Sequence, residues 1–241
     1  MSRLYVVRHG QARFFTDDYD RLSVKGEGQC AALARHWLEQ GLEFHAAWCG
    51  SLVRQRRSGE VVREVYREAG RDFPAIRCMP TLDEYPADDI MDTLLPLLRD
   101  SLAPIDDLAR AFEGAQDDRE RYRGFHRLLE AVMERWIARA YPAEGTEGLL
   151  PWDEFSGGVR DAFRDIMASA GSGENVAVFT SGGPVGISVQ TVLGAPDQAA
   201  ADLNWRVHNG SVTCFTFSGA RVSLDCFNAT AHLEPELLTY R

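Results

Sequence analysis

Predicted strands and helices alternate in the first part of the chain, and this order constrains the fold most. Three short apolar runs, at 4–7, 46–49 and 75–78, predict strands. The stretches between them predict helices, one from an N-cap at Ser23 to about residue 40 and one from Ser51. A strand–helix–strand–helix–strand order is typical of a mostly parallel sheet with helices on its faces.

The middle of the chain breaks this alternation. Between about residues 84 and 170 no strand pattern is convincing, whereas apolar residues at helical spacing predict helices over 125–140 and 159–167. We therefore predict a single domain over residues 1–241, with a helical insertion at about 85–155 that caps the active edge of the sheet.

Sheet patterns return towards the C-terminus. Residues 175–180 predict a strand, and 184–193 predict a helix that ends at Gly194. Two further strands are predicted at 211–217 and 221–227, and the short Ser-Gly-Ala connection between them favours an antiparallel hairpin. The expected fold is a three-layer α/β/α sandwich whose mostly parallel sheet has an antiparallel edge.

Composition excludes several classes of protein. The 241 residues carry a formal charge of −10 and no basic run, so nucleic acid is not an expected partner. No apolar stretch approaches the roughly 18 residues of a membrane span. There is also no signal-peptide pattern, so we expect a cytoplasmic protein that does not bind membranes. The five cysteines form no C-x-x-C pair, which argues against a zinc site or a disulfide framework.

The first predicted strand runs directly into Arg8, His9 and Gly10. Open α/β sheets bind ligands at the carboxyl ends of their strands. An arginine offers phosphate a bidentate fork, and a histidine is a nucleophile or proton carrier near neutral pH. The triplet by itself is a weak signal and is more often an ordinary strand end with a surface arginine and a turn glycine, so its meaning depends on the rest of the chain.

Three other pieces of the chain join this triplet in a recognisable order. Together the four resemble the histidine phosphatase superfamily, the phosphoglycerate mutase-like fold, over nearly the whole chain. The pieces are Arg8-His9-Gly10-Gln11, Leu22-Ser23 with Gly26 and Gln29, Ser51-Leu52-Val53-Arg54, and Glu84.

The resemblance implies a mechanism that needs neither a metal ion nor another cofactor. His9 would attack phosphorus and form a phosphohistidine, and Arg8 and Arg54 would clamp the phosphoryl oxygens. Glu84 would be the acid for the leaving oxygen and then the base for water, with Asp83 as the alternative carboxylate. The resemblance also assigns Gln11 to the substrate-binding residues.

The chain departs from the family where a second catalytic histidine is expected. The segment there reads Thr180-Ser181-Gly182-Gly183-Pro184, the form of a subgroup, and Gly182 stands in place of the histidine. If Pro184 is the first residue of a helix, the Ser181 hydroxyl or a glycine N–H could bind phosphate at its N-terminus. The same residues could equally serve only to form the turn.

Three functions remain open at this point. The first is a phosphatase that hydrolyses a small phosphomonoester through His9. The second is a phosphate-binding or regulatory protein on the same scaffold, since the glycine at 182 removes a cationic donor. A phosphoglycerate mutase is the third. The sequence leaves the substrate and the oligomeric state open.

Overall fold

The computed structural model describes residues 1–13 and 20–240, and its strands form one sheet. In chain order the strands are β1 (Ser2–Arg8), β2 (Ala46–Cys49), β3 (Ile76–Cys78), β4 (Asn175–Thr180), β5 (Val212–Ser218) and β6 (Arg221–Ala229). The α-helices are α1 (Val24–Glu39), α2 (Val53–Glu68), α3 (Ala87–Ser101), α4 (Ala103–Glu113), α5 (Asp118–Ile137), α6 (Trp152–Ser169), α7 (Gly182–Leu193) and α8 (Gln198–Asn204).

The strand order in the sheet is β3-β2-β4-β1-β5-β6. The first four strands of this order pair in parallel, and β5 and β6 add an antiparallel edge. This confirms the predicted α/β fold with a mostly parallel sheet and a C-terminal hairpin. Since β1 and β4 are central and buried, their sequences are nearly continuous apolar runs.

The two faces of the sheet are covered by different helices. Side chains alternate along a strand, so Tyr5 and Val7 of β1 join the core beneath α1 and α2. Leu4 lies on the other face, where it lines a cavity with Phe163 of α6 and Ser188 of α7. This arrangement gives the three layers that the sequence predicts.

The chain divides into two compact units, Met1–Glu84 with Gly158–Arg241, and Tyr85–Gly157. The first unit contains the whole sheet. The second is helical, and within it α3, α4 and α5 pack on one another. Its core includes a cluster of aromatic rings whose neighbouring centroids lie 5.3–6.1 Å apart, formed by Tyr85, Trp136, Trp152 and Phe155.

Several elements differ from the sequence prediction. The helices α3, α4 and α8 were not predicted individually, and α7 begins at Gly182 rather than at Pro184. The proline is the third residue of α7, still within the first turn, where a missing N–H costs no intrahelical hydrogen bond. None of the helices in the described part of the chain combines the length and the apolar character needed to cross a lipid bilayer.

Two glycines allow the turn after β1 to lie directly against the first turn of α1. A Cβ atom on Gly10 would lie 2.9 Å from the Cα of Gly26 and would overlap its carbonyl. A Cβ on Gly26 would in turn lie 2.8 Å from the backbone N of Gln11. Because these neighbours are backbone atoms, they cannot rotate away as a side chain would, so the approach requires glycine at both positions.

We predict that Gly26→Ala destabilises the protein by about 1–3 kcal/mol, the usual penalty for overpacking. Gly28→Ala on the same helix is the matched control, because its nearest non-helical neighbour would be the Leu237 Cδ2 at 3.8 Å. That change should be neutral or stabilising by up to about 1 kcal/mol through helix propensity. Denaturant unfolding measures both. Equal free energies of unfolding for the two variants would contradict the close approach.

Candidate active site

The residues singled out from the sequence all follow the carboxyl ends of the four parallel strands. β1 leads to Arg8 and His9, β2 leads to the turn before Arg54, β3 leads to Glu84, and β4 leads to Gly182. Because the four strands are parallel neighbours, these ends meet at one edge of the sheet, where open α/β sheets bind ligands.

His9 is held in one orientation and one tautomer. Its backbone N–H donates to the Thr180 carbonyl at 2.8 Å, which ties the end of β1 to β4. The ring Nδ1 lies 2.7 Å from the Gly10 carbonyl oxygen, which can only accept a hydrogen bond, so Nδ1 carries the proton. The other nitrogen, Nε2, keeps its lone pair and accepts from Arg54 Nε at 3.2 Å.

The surroundings of His9 favour its neutral form. Its side chain is buried, with 6% of the residue exposed. Burial lowers the pKa of His9 well below its ordinary value, and the positive charges of Arg54 and Arg8 lower it further. An imidazole with a free lone pair is the form that can act as a nucleophile.

The two arginines reach this edge from opposite faces of the sheet. His9 follows Val7 in the strand alternation and points to the α2 face, where Arg54 is in the first turn of α2. Arg8 has the opposite parity, and its Nη1 donates to the carbonyl of Val207. Both guanidinium groups are largely buried, with Arg8 6% and Arg54 9% exposed.

Asp20 is a site residue that the sequence analysis missed. Its carboxylate accepts from Arg54 Nη1 at 2.7 Å and from the backbone N–H of Val53 at 2.7 Å. It therefore caps the N-terminus of α2 and offsets the charge of Arg54 at the same time. The only indication of this role in the sequence is weak: Asp20 lies two residues before Leu22-Ser23, one of the four pieces that resemble the family.

The two neighbouring carboxylates after β3 have different partners. Asp83 accepts from the Ser51 N–H at 2.5 Å, from the Ser51 hydroxyl and from the Leu52 N–H at 3.3 Å, so it holds the turn that begins α2. The half-buried Glu84 accepts from the N–H of Gly183 at 3.0 Å. The first turn of α7 thus binds a carboxylate of the protein itself.

Ser181 and Gly182 lie between β4 and this first turn. Ser181 is fully buried, and its hydroxyl accepts from Gln55 Nε2 at 2.9 Å; the same nitrogen donates to the Leu82 carbonyl. This places Ser181 in a hydrogen-bonded link between α2 and β4. Gly182 is also buried, and the side chain of Asn204 packs against it.

Gln11 and the remaining histidines have structural partners. Gln11 Oε1 accepts from the hydroxyl of Ser23, the N-cap of α1, at 3.0 Å. His208 stacks on Tyr240 with ring centroids 4.0 Å apart. Among the residues that the structure describes, no group of three His, Cys, Asp or Glu side chains is placed to hold a metal ion.

Sequence comparison connects this geometry to a known family. The model of the histidine phosphatase superfamily (branch 1) matches residues 111–230, a range that includes β4, Gly182 and the hairpin. This chain belongs to the histidine phosphatase superfamily. None of the curated proteins matches its sequence significantly.

Solved structures, among them a phosphatase and a mutase, share the fold over almost the whole chain. Bacillus stearothermophilus YhfR superposes with a TM-score of 0.64 and 17% identity, covering 97% of this chain and 100% of that one. A mycobacterial glucosyl-3-phosphoglycerate phosphatase superposes with a TM-score of 0.58 and 21% identity, covering 95% of this chain and 99% of that one. A phosphoglycerate mutase from Bacillus anthracis superposes with a TM-score of 0.61 and 16% identity, covering 96% of this chain and 94% of that one.

The titration of a buried and a half-buried histidine should make stability depend on pH. His232 donates to the Gly210 carbonyl at 2.9 Å, and Gly210 in turn donates to the backbone of Arg8 and His9. Burial lowers the pKa of His232 to about 4, and that of His9 lies well below 6.5. Between pH 6.5 and these lowered pKa values the unfolded chain binds protons at both positions and the folded chain does not, so stability falls as pH decreases through this window.

We predict that His232→Gln and His9→Asn each flatten the fall in the free energy of unfolding between about pH 7 and pH 5. Both remove a group that takes up a proton only on unfolding in this range. Denaturant unfolding at several pH values measures the slope. Slopes identical to that of the wild type in both variants would contradict the lowered pKa of these two histidines.

Replacing Asp20 by asparagine should tighten anion binding. Asparagine caps a helix as well as aspartate does, so Asp20→Asn keeps the N-terminus of α2 in place and removes only the charge opposite Arg54. We expect inorganic phosphate to bind roughly three- to tenfold more tightly. Calorimetric titration measures this. Glu68→Gln, at the other end of α2, is the control for overall charge, and an equal gain there would contradict the role of Asp20.

Proposed function

We propose that this protein is a phosphatase that hydrolyses a small phosphomonoester through a phosphohistidine on His9. The observation that carries the proposal is the state of His9, which is neutral, protonated on Nδ1, and has Nε2 directed at the guanidinium of Arg54. A phosphoryl group that displaced Arg54 from Nε2 would meet a nucleophile and a bidentate donor together.

In the first step the Nε2 lone pair attacks phosphorus, and the bond from phosphorus to the leaving oxygen breaks. The developing charge on the equatorial oxygens is stabilised by Arg8 and Arg54, which their burial places in a medium of low dielectric constant. The leaving oxygen takes a proton from the carboxylic acid of Glu84 and departs as an alcohol.

In the second step a water molecule attacks the phosphohistidine. Glu84, now a carboxylate, removes the proton of this water, and the phosphorus–nitrogen bond breaks to release phosphate and restore neutral His9. The hydrogen bond from the Gly183 N–H to Glu84 fixes the direction of the carboxylate in both steps. Each step moves one proton, and the two steps together return the enzyme to its starting state.

The solved relatives support a phosphomonoester as the substrate class. An Entamoeba histolytica phosphoserine phosphatase, which was crystallised with phosphoserine, shares the fold with a TM-score of 0.60 and 14% identity. The mycobacterial neighbour is a phosphatase of glucosyl-3-phosphoglycerate. Both of these neighbours are phosphatases of a small phosphorylated molecule, and the chemistry proposed for His9 suits any such ester.

Phosphate release from a panel of small phosphomonoesters tests this proposal. We expect turnover by the wild type and its loss to the background rate in His9→Ala. Release that persists at the wild-type rate in His9→Ala would refute the phosphohistidine route. Phosphate binding by the wild type without any turnover would instead identify a phosphate-binding protein on this scaffold.

The choice between Glu84 and Asp83 as the acid has its own test. Glu84→Gln should lower kcat for alkyl phosphates by about 10²–10⁴-fold, and much less for nitrophenyl phosphate, whose leaving group needs no proton. Asp83→Ala removes the acceptor at the start of α2, so it should lower the melting temperature and slow both substrates by the same factor. If Asp83→Ala instead slowed alkyl phosphates selectively and Glu84→Gln slowed both substrates by the same factor, Asp83 would be the acid.

A further inference from the structure

Asn204 occupies the place that a side chain at position 182 would take. A Cβ atom built on Gly182 would overlap Oδ1 of Asn204 and lie 3.2 Å from its Cγ. Asn204 is the last residue of α8 and is 3% exposed, a burial comparable to that of His9 and Arg8. An amide from another helix therefore occupies the space next to Gly182 that a side chain would enter.

Close packing of two helices puts the amide there. A Cβ on Gly186, one turn after Gly182 in α7, would overlap the carbonyl oxygen of Ala200 and lie 3.4 Å from the backbone N of Asn204. Glycine at both 182 and 186 lets the backbone of α8 approach α7 closely. The position of Asn204 is therefore set by backbone contact along the two helices.

The segment that follows Asn204 also holds one of the phosphate-clamp arginines. The N–H of Val207 donates to the Asn204 carbonyl at 3.4 Å, and the carbonyl of Val207 accepts from Arg8 Nη1. On its other side Asn204 packs on Gly182, whose neighbour Gly183 binds Glu84. Asn204 thus connects the two sets of residues, through its backbone carbonyl to the segment that contacts Arg8 and through its side chain to the turn that contacts Glu84.

We propose that the side-chain amide of Asn204 contacts the phosphoryl group of the substrate and supplies a neutral hydrogen-bond donor where a residue at 182 would otherwise act. This inference rests on the proposed phosphatase function. An amide carries a donor and an acceptor arm that exchange places when it rotates by half a turn, so Nδ2 can face a bound phosphoryl oxygen. It adds no positive charge to a site that already has Arg8 and Arg54.

According to the proposal, a side chain at residue 182 and the side chain of Asn204 would occupy the same space beside the phosphoryl group, so only one of them can act there. Asn204→Ala should lower kcat/KM about ten- to a hundredfold, the effect of losing one donor to the phosphoryl group. Asn204→Asp is nearly isosteric and should lower it more, because its carboxylate repels phosphate. Gly182→His alone should be slower than the wild type, because the new side chain overlaps Asn204. Combined with Asn204→Ala it should be faster than Asn204→Ala alone.

The experiment measures kcat/KM for nitrophenyl phosphate, the melting temperature, and the rise in melting temperature on adding inorganic phosphate. Asp202→Ala, an exposed residue of the same helix, is the matched control and should behave as the wild type. Asn204→Asp keeps the shape of the side chain, so it tests the contact even if Asn204→Ala folds poorly. A folded Asn204→Asp within twofold of the wild type would overturn the proposal. A double variant no faster than Asn204→Ala would overturn it too.

The outcomes separate this inference from the phosphatase proposal. If His9→Ala is inactive while the folded variants at 204 match the wild type, only the role of Asn204 is refuted. If the wild type releases no phosphate from any ester, the phosphatase proposal fails, and the phosphate-induced rise in melting temperature decides the role of Asn204. A smaller rise in Asn204→Asp than in the wild type supports the contact, and an equal rise overturns it.

Discussion

The hydrogen bond between His9 Nδ1 and the Gly10 carbonyl is the interaction on which the proposed chemistry depends. It places the proton on Nδ1 and leaves the lone pair on Nε2, next to Arg54. Burial and two neighbouring cations keep the ring neutral. The turn that offers this carbonyl exists because Gly10 and Gly26 let the end of β1 approach the start of α1. Backbone packing between the end of β1 and the start of α1 therefore determines that Nε2 is the reactive atom of His9.

The polar groups around His9 have partners within the protein before any substrate binds. Arg54 is paired with Asp20, and the first turn of α7 binds Glu84. A bound phosphate must therefore compete for groups that already have a partner in the protein. The same partners lower the desolvation penalty of burying two guanidinium groups. An amide at Asn204 in place of an imidazole continues this pattern, since it offers a hydrogen bond without a further charge.

The sequence predicts those parts of the site that depend on local order. Arg8, His9, Arg54 and Glu84 follow strand ends, and alternating strands and helices suffice to bring parallel strand ends to one edge of a sheet. The antiparallel hairpin could also be predicted, because a short glycine-containing connection between two apolar runs specifies it locally.

Residues whose partners are distant in the chain could not be predicted in this way. Asn204 lies on a helix of seven residues without a side-chain cap, and its contact with Gly182 exists only once α7 and α8 pack. Asp20 reveals its role only next to the first turn of α2. Within the helical unit, Pro96 interrupts the pattern of α3, although the helix continues through it.

Direct detection of the phosphoenzyme tests the central claim most directly. The protein is mixed with a ³²P-labelled phosphomonoester, quenched within milliseconds in alkali, and digested for peptide mapping. The account predicts a label that is stable to alkali, is lost in acid, and is confined to the peptide that contains His9. Turnover without such a label, or a label on a peptide without His9, would contradict the account.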